Sequence, residues 1–170
     1  MTLEAFLLNI FSSIPTWLAV IVIAALPVAE LRLAIPLAIL KPPYGFGMDP
    51  ISAFSLAVIG NMLPVIPLLL YLEPVSNYLR RWKTWDRYFN WLFERTHRKH
   101  SESFEKYGSI GLAIFVGIPL PATGAWTGCA AAFVFGFKFR NALLAIFAGV
   151  LLAGVVMTLL TVGINIFNGI

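Results

Sequence analysis

The chain has 170 residues, of which 59% are hydrophobic and only 12% charged, against roughly 45–50% and about 25% in soluble domains. That balance leaves too little polar surface to cover a soluble core and argues against a soluble enzyme. The net charge of +4 does not indicate nucleic acid either, because eight of the twelve Lys and Arg residues fall between Arg80 and Lys106, a loop signature on one side of a membrane rather than a basic binding face.

Four runs, 5–29, 50–72, 107–137 and 141–170, contain no Asp, Glu, Lys or Arg, and each exceeds the roughly 20 apolar residues that cross a bilayer. No Lys or Arg occurs in residues 1–10 and no small-x-small site precedes Pro27. Residues 1–27 are therefore expected to form a retained spanning helix, not a cleaved leader. The stretch from Leu26 to Met48 carries Pro27, Pro36, Pro42 and Pro43, and its longest uncharged apolar run is the eight residues 33–40. That is too short to span, so residues 28–48 are expected to form a first re-entrant hairpin with Pro27 and Pro36 at its tip. Glu30 and Arg32 are the only charged residues between Glu4 and Lys41. Charges inside a membrane are costly and functional by default. Glu30 is a candidate proton carrier, and Arg32 offers a fork of donors suited to phosphate or carboxylate. The alternative is that the two groups pair to hold the hairpin.

Residues 50–73 fit one spanning helix kinked by Pro64 and Pro67, with Asn61 as its polar residue, expected to hydrogen-bond between helices or to touch substrate. Residues 75–106 come next as a cytoplasmic linker. There Tyr78, Trp82, Trp85, Phe89 and Leu92 recur at spacings of four and three with Arg80, Arg81, Lys83 and Arg87 between them. That pattern predicts an amphipathic helix lying on the interface. His97 and His100, near Glu94 and Glu102, read as exposed residues of a charged run, and no metal site is expected.

The run 107–137 would make one helix of about 46 Å, but Gly117, Pro119, Pro121 and Gly124 interrupt its middle. Two arms of about a dozen residues cannot each cross a hydrocarbon core of about 30 Å. Lys106 precedes the run, and Lys138 and Arg140 come after it. A second re-entrant hairpin over 107–137 accounts for both observations, with Pro119, Pro121 and Gly124 at its tip. Thr123, Trp126 and Thr127 supply polar contacts there, and the exiting half-helix should begin near Thr123 or Gly124 with its free N–H groups at membrane depth. Thr123 as a plain N-cap is the alternative. Cys129, the single cysteine, reads as a small buried hydrophobe. Residues 140–168 form the last spanning helix.

Laid on one another, Leu26-Pro27-Val28-Ala29-Glu30-Leu31-Arg32 matches Leu120-Pro121-Ala122-Thr123-Gly124-Ala125-Trp126, and Gly60 and Gly149 lie 33 and 28 residues after the two prolines. With 75–106 cytoplasmic, the first hairpin opens outward and the second inward, so the halves are expected to be inverted. Paired, Pro/Gly-interrupted short segments in inverted halves point to the site of a transporter. The expected fold is an all-α integral membrane protein in one domain. It is an inverted repeat of two facing re-entrant hairpins with about three spanning helices and an interfacial helix.

Pro27-Val-Ala-Glu-Leu-Arg-Leu-Ala-Ile-Pro36 together with Gly117-Ile-Pro-Leu-Pro-Ala-Thr-Gly-Ala-Trp-Thr-Gly128 resembles the two signature segments of the small multidrug export proteins. The passage Phe104-Glu-Lys-Tyr-Gly108 is similar to the wider DedA or VTT (SNARE-associated) superfamily. The resemblance covers roughly residues 20–160. It implies facing re-entrant hairpins and transport, since DedA relatives are associated with proton-dependent movement of undecaprenyl phosphate and VTT relatives with lipid scrambling. DedA relatives carry arginines in the second hairpin, whereas no basic residue lies between Lys106 and Lys138 here. Only Glu30 and Arg32 carry over, as the acidic and basic members of the first hairpin.

The sequence thus leads to a multi-pass transporter of a prokaryotic cytoplasmic membrane, with membrane lipids as surroundings and an amphiphilic or phospholipid-like, polyprenyl-phosphate-like substrate moved with proton coupling. No cofactor and no nucleic acid is expected, and a homo-oligomer is compatible with the chain. Export of amphiphilic cationic drugs, with Glu30 binding the cation, and a non-transporting scaffold or assembly factor are the alternatives.

Overall fold

The computed structural model describes the backbone of residues 14–79, 102–120 and 123–168, and side chains within 14–72, 108–120 and 123–166. Among these residues every regular element is a helix. We number them α1 (Thr16–Ala25), α2 (Glu30–Ile39), α3 (Pro50–Met62), α4 (Val65–Leu79), α5 (Glu102–Gly117), α6 (Ala125–Val134) and α7 (Phe139–Asn168). Two apolar stretches, Pro50–Leu72 and Phe139–Ile166, are long enough to cross a membrane, and only 33% of the most apolar part of each is buried. A helix at the centre of a soluble core would hide far more. The described residues divide into two compact units, one built from residues up to Asn61 and from Gly154 onward, the other from Met62 to Ala153.

In the first unit, α1 packs on α2 as a helical hairpin. The break between them has a local cause: Pro27 forces the residue before it out of the helical region, and Leu26 is extended at φ −73°, ψ 139°. The hairpin thus occupies residues 16–39 with its break at 26–29, rather than the expected 28–48. Pro36 is not at a tip. It lies inside α2, where its missing N–H and ring cost one ladder hydrogen bond without ending the helix. The helix stops only at Leu40, before Lys41-Pro42-Pro43. The loop after it folds back so that the amides of Phe46, Met48 and Gly47 donate to the carbonyls of Leu37, Ala38 and Leu40, each at 2.8 Å. Those are the carbonyls that a helix C-terminus leaves without partners. Gly45 makes the fold-back possible, since a methyl there would lie 2.5 Å from the Leu37 and Leu40 carbonyl oxygens.

Asp49 then starts α3, its carboxylate accepting from the amides of Ile51 and Ser52 at 3.0 Å, with Pro50 at the first helical position where a proline fits best. Near the other end of α3, Gly60 meets α1 so closely that a methyl group would strike the Ile21 carbonyl and sit 2.9 Å from the Ala24 methyl. Gly154 of α7 lies against the Phe54 ring in the same way.

The second unit begins where α3 ends. Leu63 and Pro64 form a turn between α3 and α4, while Pro67 lies within α4, which runs on to Leu79. Here α5 packs on α6, and α6 on α4. The buried stripe of α6 is Ala125, Gly128, Cys129 and Ala132, four small residues that let helix backbones approach. Val116 of α5 is the knob between two of the glycines, with Gly128 of α6 on one side and Gly149 of α7 on the other. Gly149 also abuts the Ala113 carbonyl, and Gly117 abuts Leu152. The α6 helix ends in a Schellman motif: Gly136, at φ +69°, donates to Phe133 at 3.1 Å, and Phe137 donates to Ala132 at 2.9 Å.

Of the three spanning helices expected, the first is described only over Thr16–Ala25. The expected interfacial stripe lies mostly outside the described residues, with Tyr78 on α4. His97 and His100 lie outside them too.

The packing at glycine and the cap at Asp49 can each be tested. Gly149→Leu forces a branched side chain against Val116 and the Ala113 carbonyl and lowers thermal stability in detergent by about 1–3 kcal/mol. Gly163→Ala, where a methyl meets nothing, is neutral or stabilising by up to about 1 kcal/mol. Equal effects at the two positions would remove the close-packing argument. At Asp49 the variable is pH. Hydrogen bonding from Ser52, by side chain and amide, and from the Ile51 amide holds the Asp49 carboxyl below its usual range. A lowered folded-state pKa contributes stability that is full above the unfolded carboxyl value and lost as pH falls through the folded one. The melting temperature of Asp49→Ala should therefore lie below wild type at neutral pH, and the gap should narrow in acid. A gap independent of pH would refute the charged cap.

Candidate functional site

The candidate residues fall in two groups, one in each unit. In the first, Pro27 and the extended Leu26 end α1, and the chain re-enters helix at Glu30, whose amide donates to the Leu26 carbonyl at 3.1 Å. Glu30 takes φ +46°, and it alone among the described non-glycine residues has a positive φ. For a residue with a β-carbon that conformation costs roughly 1–2 kcal/mol. The carboxylate is also withdrawn from solvent, with Glu30 only 6% exposed. A strained backbone position and a buried acid thus coincide in one residue, and such outliers concentrate at functional sites.

The helix explains how Glu30 and Arg32 differ. The buried stripe of α2 runs through Glu30, Leu31, Ala34, Ile35, Ala38 and Ile39, so Glu30 stands on the packed side. Arg32, two residues on, turns about 200° away and is half-buried. Asn61, in the last turn of α3, is 1% exposed, and its Oδ1 has no hydrogen-bond partner. Its neighbour Gly60 touches Ala24, two residues before the break that leads to Glu30. Pro64 lacks an N–H, so the Gly60 carbonyl also loses its helical donor.

In the second unit the break spans residues 118–124. Thr123 does not cap α6. Its hydroxyl reaches back to the carbonyls of Ile118 at 2.7 Å and Leu120 at 2.8 Å, while its amide donates to Leu120 at 3.1 Å. The N-cap position is Gly124, without a side-chain hydrogen bond and at φ +150°, ψ −168°, a backbone that only glycine adopts without strain. Thr127 donates its hydroxyl to the Gly124 carbonyl at 3.2 Å, and Trp126 is half-buried beside it. Pro119 lies in the break, and Pro121 lies outside the described residues. Cys129 is fully buried with its thiol 4.0 Å from the Val65 carbonyl. Among the described residues no group of three or more His, Cys, Asp or Glu could hold a metal ion.

The first unit therefore presents acceptors, a buried carboxylate and an amide oxygen, with one guanidinium off the packed face. The second presents hydroxyls tied to its own tip. The positive φ of Glu30 was not legible in the sequence, because glutamate is not a residue that marks left-handed backbone. The orphaned Asn61 oxygen could not be foreseen either, since hydrogen-bond satisfaction depends on what packs alongside.

A family model described as "Putative small multi-drug export protein" matches residues 30–156. No curated protein and no solved structure matches the chain.

If Glu30 is held in strain, Glu30→Gly relieves it and is more stable than Glu30→Ala by about 1 kcal/mol, although both lose the carboxylate. Thermal unfolding of the two variants in one detergent checks this. Equal stability would mean that the left-handed backbone carries no cost.

Proposed function

The chain belongs to the small multi-drug export family, and on that premise we propose that it is a proton-coupled membrane transporter of an amphiphilic, phospholipid-like substrate. In this reading Glu30 cycles the proton and Arg32 engages an anionic head group. One observation carries it: a carboxylate 6% exposed at a left-handed position, in the break between two ten-residue apolar helices. A helix of ten residues is about 15 Å long, half the hydrocarbon thickness. In this reading the acid lies at membrane depth, where proton relays are built from carboxylates; the short arms on either side support it. Arg32 stays protonated and offers a planar fork matched to phosphate or carboxylate.

The reading includes two re-entrant hairpins in inverted halves, a multi-pass prokaryotic cytoplasmic membrane protein and a cytoplasmic linker over 75–106. Supporting it, Gly60 meets Ile21 and Ala24, while Gly149 meets Ala113 and Val116. In both pairs the later glycine meets residues three apart on the first arm of its own hairpin, although the second pair lies 92 residues beyond the first and the matched prolines lie 94 apart. Lys106 before the second hairpin and Lys138 and Arg140 after it support a return to the side of entry.

A second reading is favoured by Asn61. An unpartnered amide oxygen in the unit that holds Glu30 is an acceptor awaiting a donor, as an amphiphilic cation would supply, and Arg32 is then structural.

Flux in proteoliposomes across a pH gradient tests both, with a polyprenyl phosphate and a lipophilic cation as alternative cargoes. Glu30→Gln is expected to stay folded and to lose gradient-driven flux, since the amide mimics the protonated acid but cannot release a proton. Arg32→Lys is expected to slow the phosphate cargo by roughly an order of magnitude through loss of bidentate contact and to leave a cation untouched. Flux of the cation alone selects the second reading. A double variant, Glu30→Gln with Arg32→Gln, that transports with its pH response intact overturns both roles, and no flux of either cargo leaves a scaffold.

A further inference from the structure

At the end of the α5–α6 pair away from its tip, the two arms flank a half-open cavity of about 360 Å³. Gly108, Gly111 and Phe115 of α5 line it, with Ala131 and Phe135 of α6 and Phe137 beyond. The bare backbone at Gly111 is part of the wall, since a methyl there meets nothing within 4 Å. No charged or hydroxyl side chain is among the lining residues, so an apolar guest meets no unsatisfied group.

Beyond Phe137 the chain changes from apolar to cationic. The Schellman turn at Gly136 fixes the chain direction, placing Phe137 on the cavity wall and Lys138 immediately outside it. The Lys138 carbonyl accepts from Ala142 at 2.9 Å, so Lys138 sits at the N-terminus of the 30-residue α7, with Arg140 in the first turn and no acidic residue there. Both cationic side chains are exposed. The amides of a helix start add partial positive charge in the same place. An apolar, half-open cavity thus lies next in sequence to a helix start carrying two cations, all within one unit.

We propose that this end of the hairpin is a binding site for one anionic phospholipid, with an acyl chain in the cavity and its phosphate between Lys138, Arg140 and the start of α7. The charge selects the class of lipid. A net-neutral head group gains little from the two cations, whereas an anionic one gains from each. The site uses neither Glu30 nor Arg32 and stands whether or not the chain transports anything.

The test is lipid retention by the purified full-length chain in detergent with equal phosphatidylglycerol and phosphatidylcholine of identical acyl chains, counted by native mass spectrometry. Wild type should hold one phosphatidylglycerol at this site with a preference on the order of tenfold, as two cations imply. Lys138→Gln with Arg140→Gln should lose that molecule. Gly111→Leu, which fills the cavity where space is open, should lose it too without a lower melting temperature, and that keeps misfolding apart from loss of the site. A phosphatidylglycerol count unchanged in either variant, or equal retention of phosphatidylcholine at this site, overturns the proposal.

Discussion

Everything in this protein turns on where its broken helices leave their backbone polar groups. Helices α1, α2 and α6 are ten residues each, about 15 Å long, in a chain whose longest apolar helices are of membrane-spanning length. A helix end away from water must find partners for its amides and carbonyls. The fold answers locally. The loop after α2 returns three amides to its last carbonyls, the Thr123 hydroxyl binds the carbonyls of the second break, and the Schellman turn closes α6.

These solutions need close backbone approach, and glycine provides it. Gly60 against α1, Gly128 and Gly149 on either side of Val116, and Gly117 under Leu152 take the place that bulky side chains have in soluble cores. In lipid, apolar burial gives little net drive for helices to associate, so packing has to come from contact. The short arms are held in register by these contacts, and the breaks are held with them.

Against that satisfied background the exceptions stand out. Glu30 combines burial with a left-handed backbone, and the Asn61 oxygen, like that of Asn165 on α7, is buried without a partner. All of these belong to the first unit, while the hydroxyls described in either unit are engaged with their own tip or helix. The polar contributions of the two units are therefore unequal in kind: one buries a titratable acid on α2 and an amide acceptor on α3, the other uses its hydroxyls to shape a turn.

Several features needed only the sequence. Long charge-free runs settle the helical membrane class, because a backbone in lipid must satisfy itself within the helix. Proline after an extended residue sets the break at Leu26, and the Pro/Gly cluster over 117–124 sets the second. The isolation of Glu30 and Arg32 in apolar sequence marks them without any coordinates. Other features depend on what lies alongside. Pro36 looks like a tip in sequence and is carried within α2, since one lost hydrogen bond is tolerable when the surrounding helix is packed. Thr123 looks like a cap and instead ties the loop, because Gly124 reaches a backbone that threonine could not hold. The strain at Glu30, the unmatched oxygen of Asn61 and the cavity at Gly111 are tertiary outcomes. Local sequence determines which conformations a residue can adopt, but whether a buried atom finds a partner or a void is decided by neighbours that the chain brings from elsewhere.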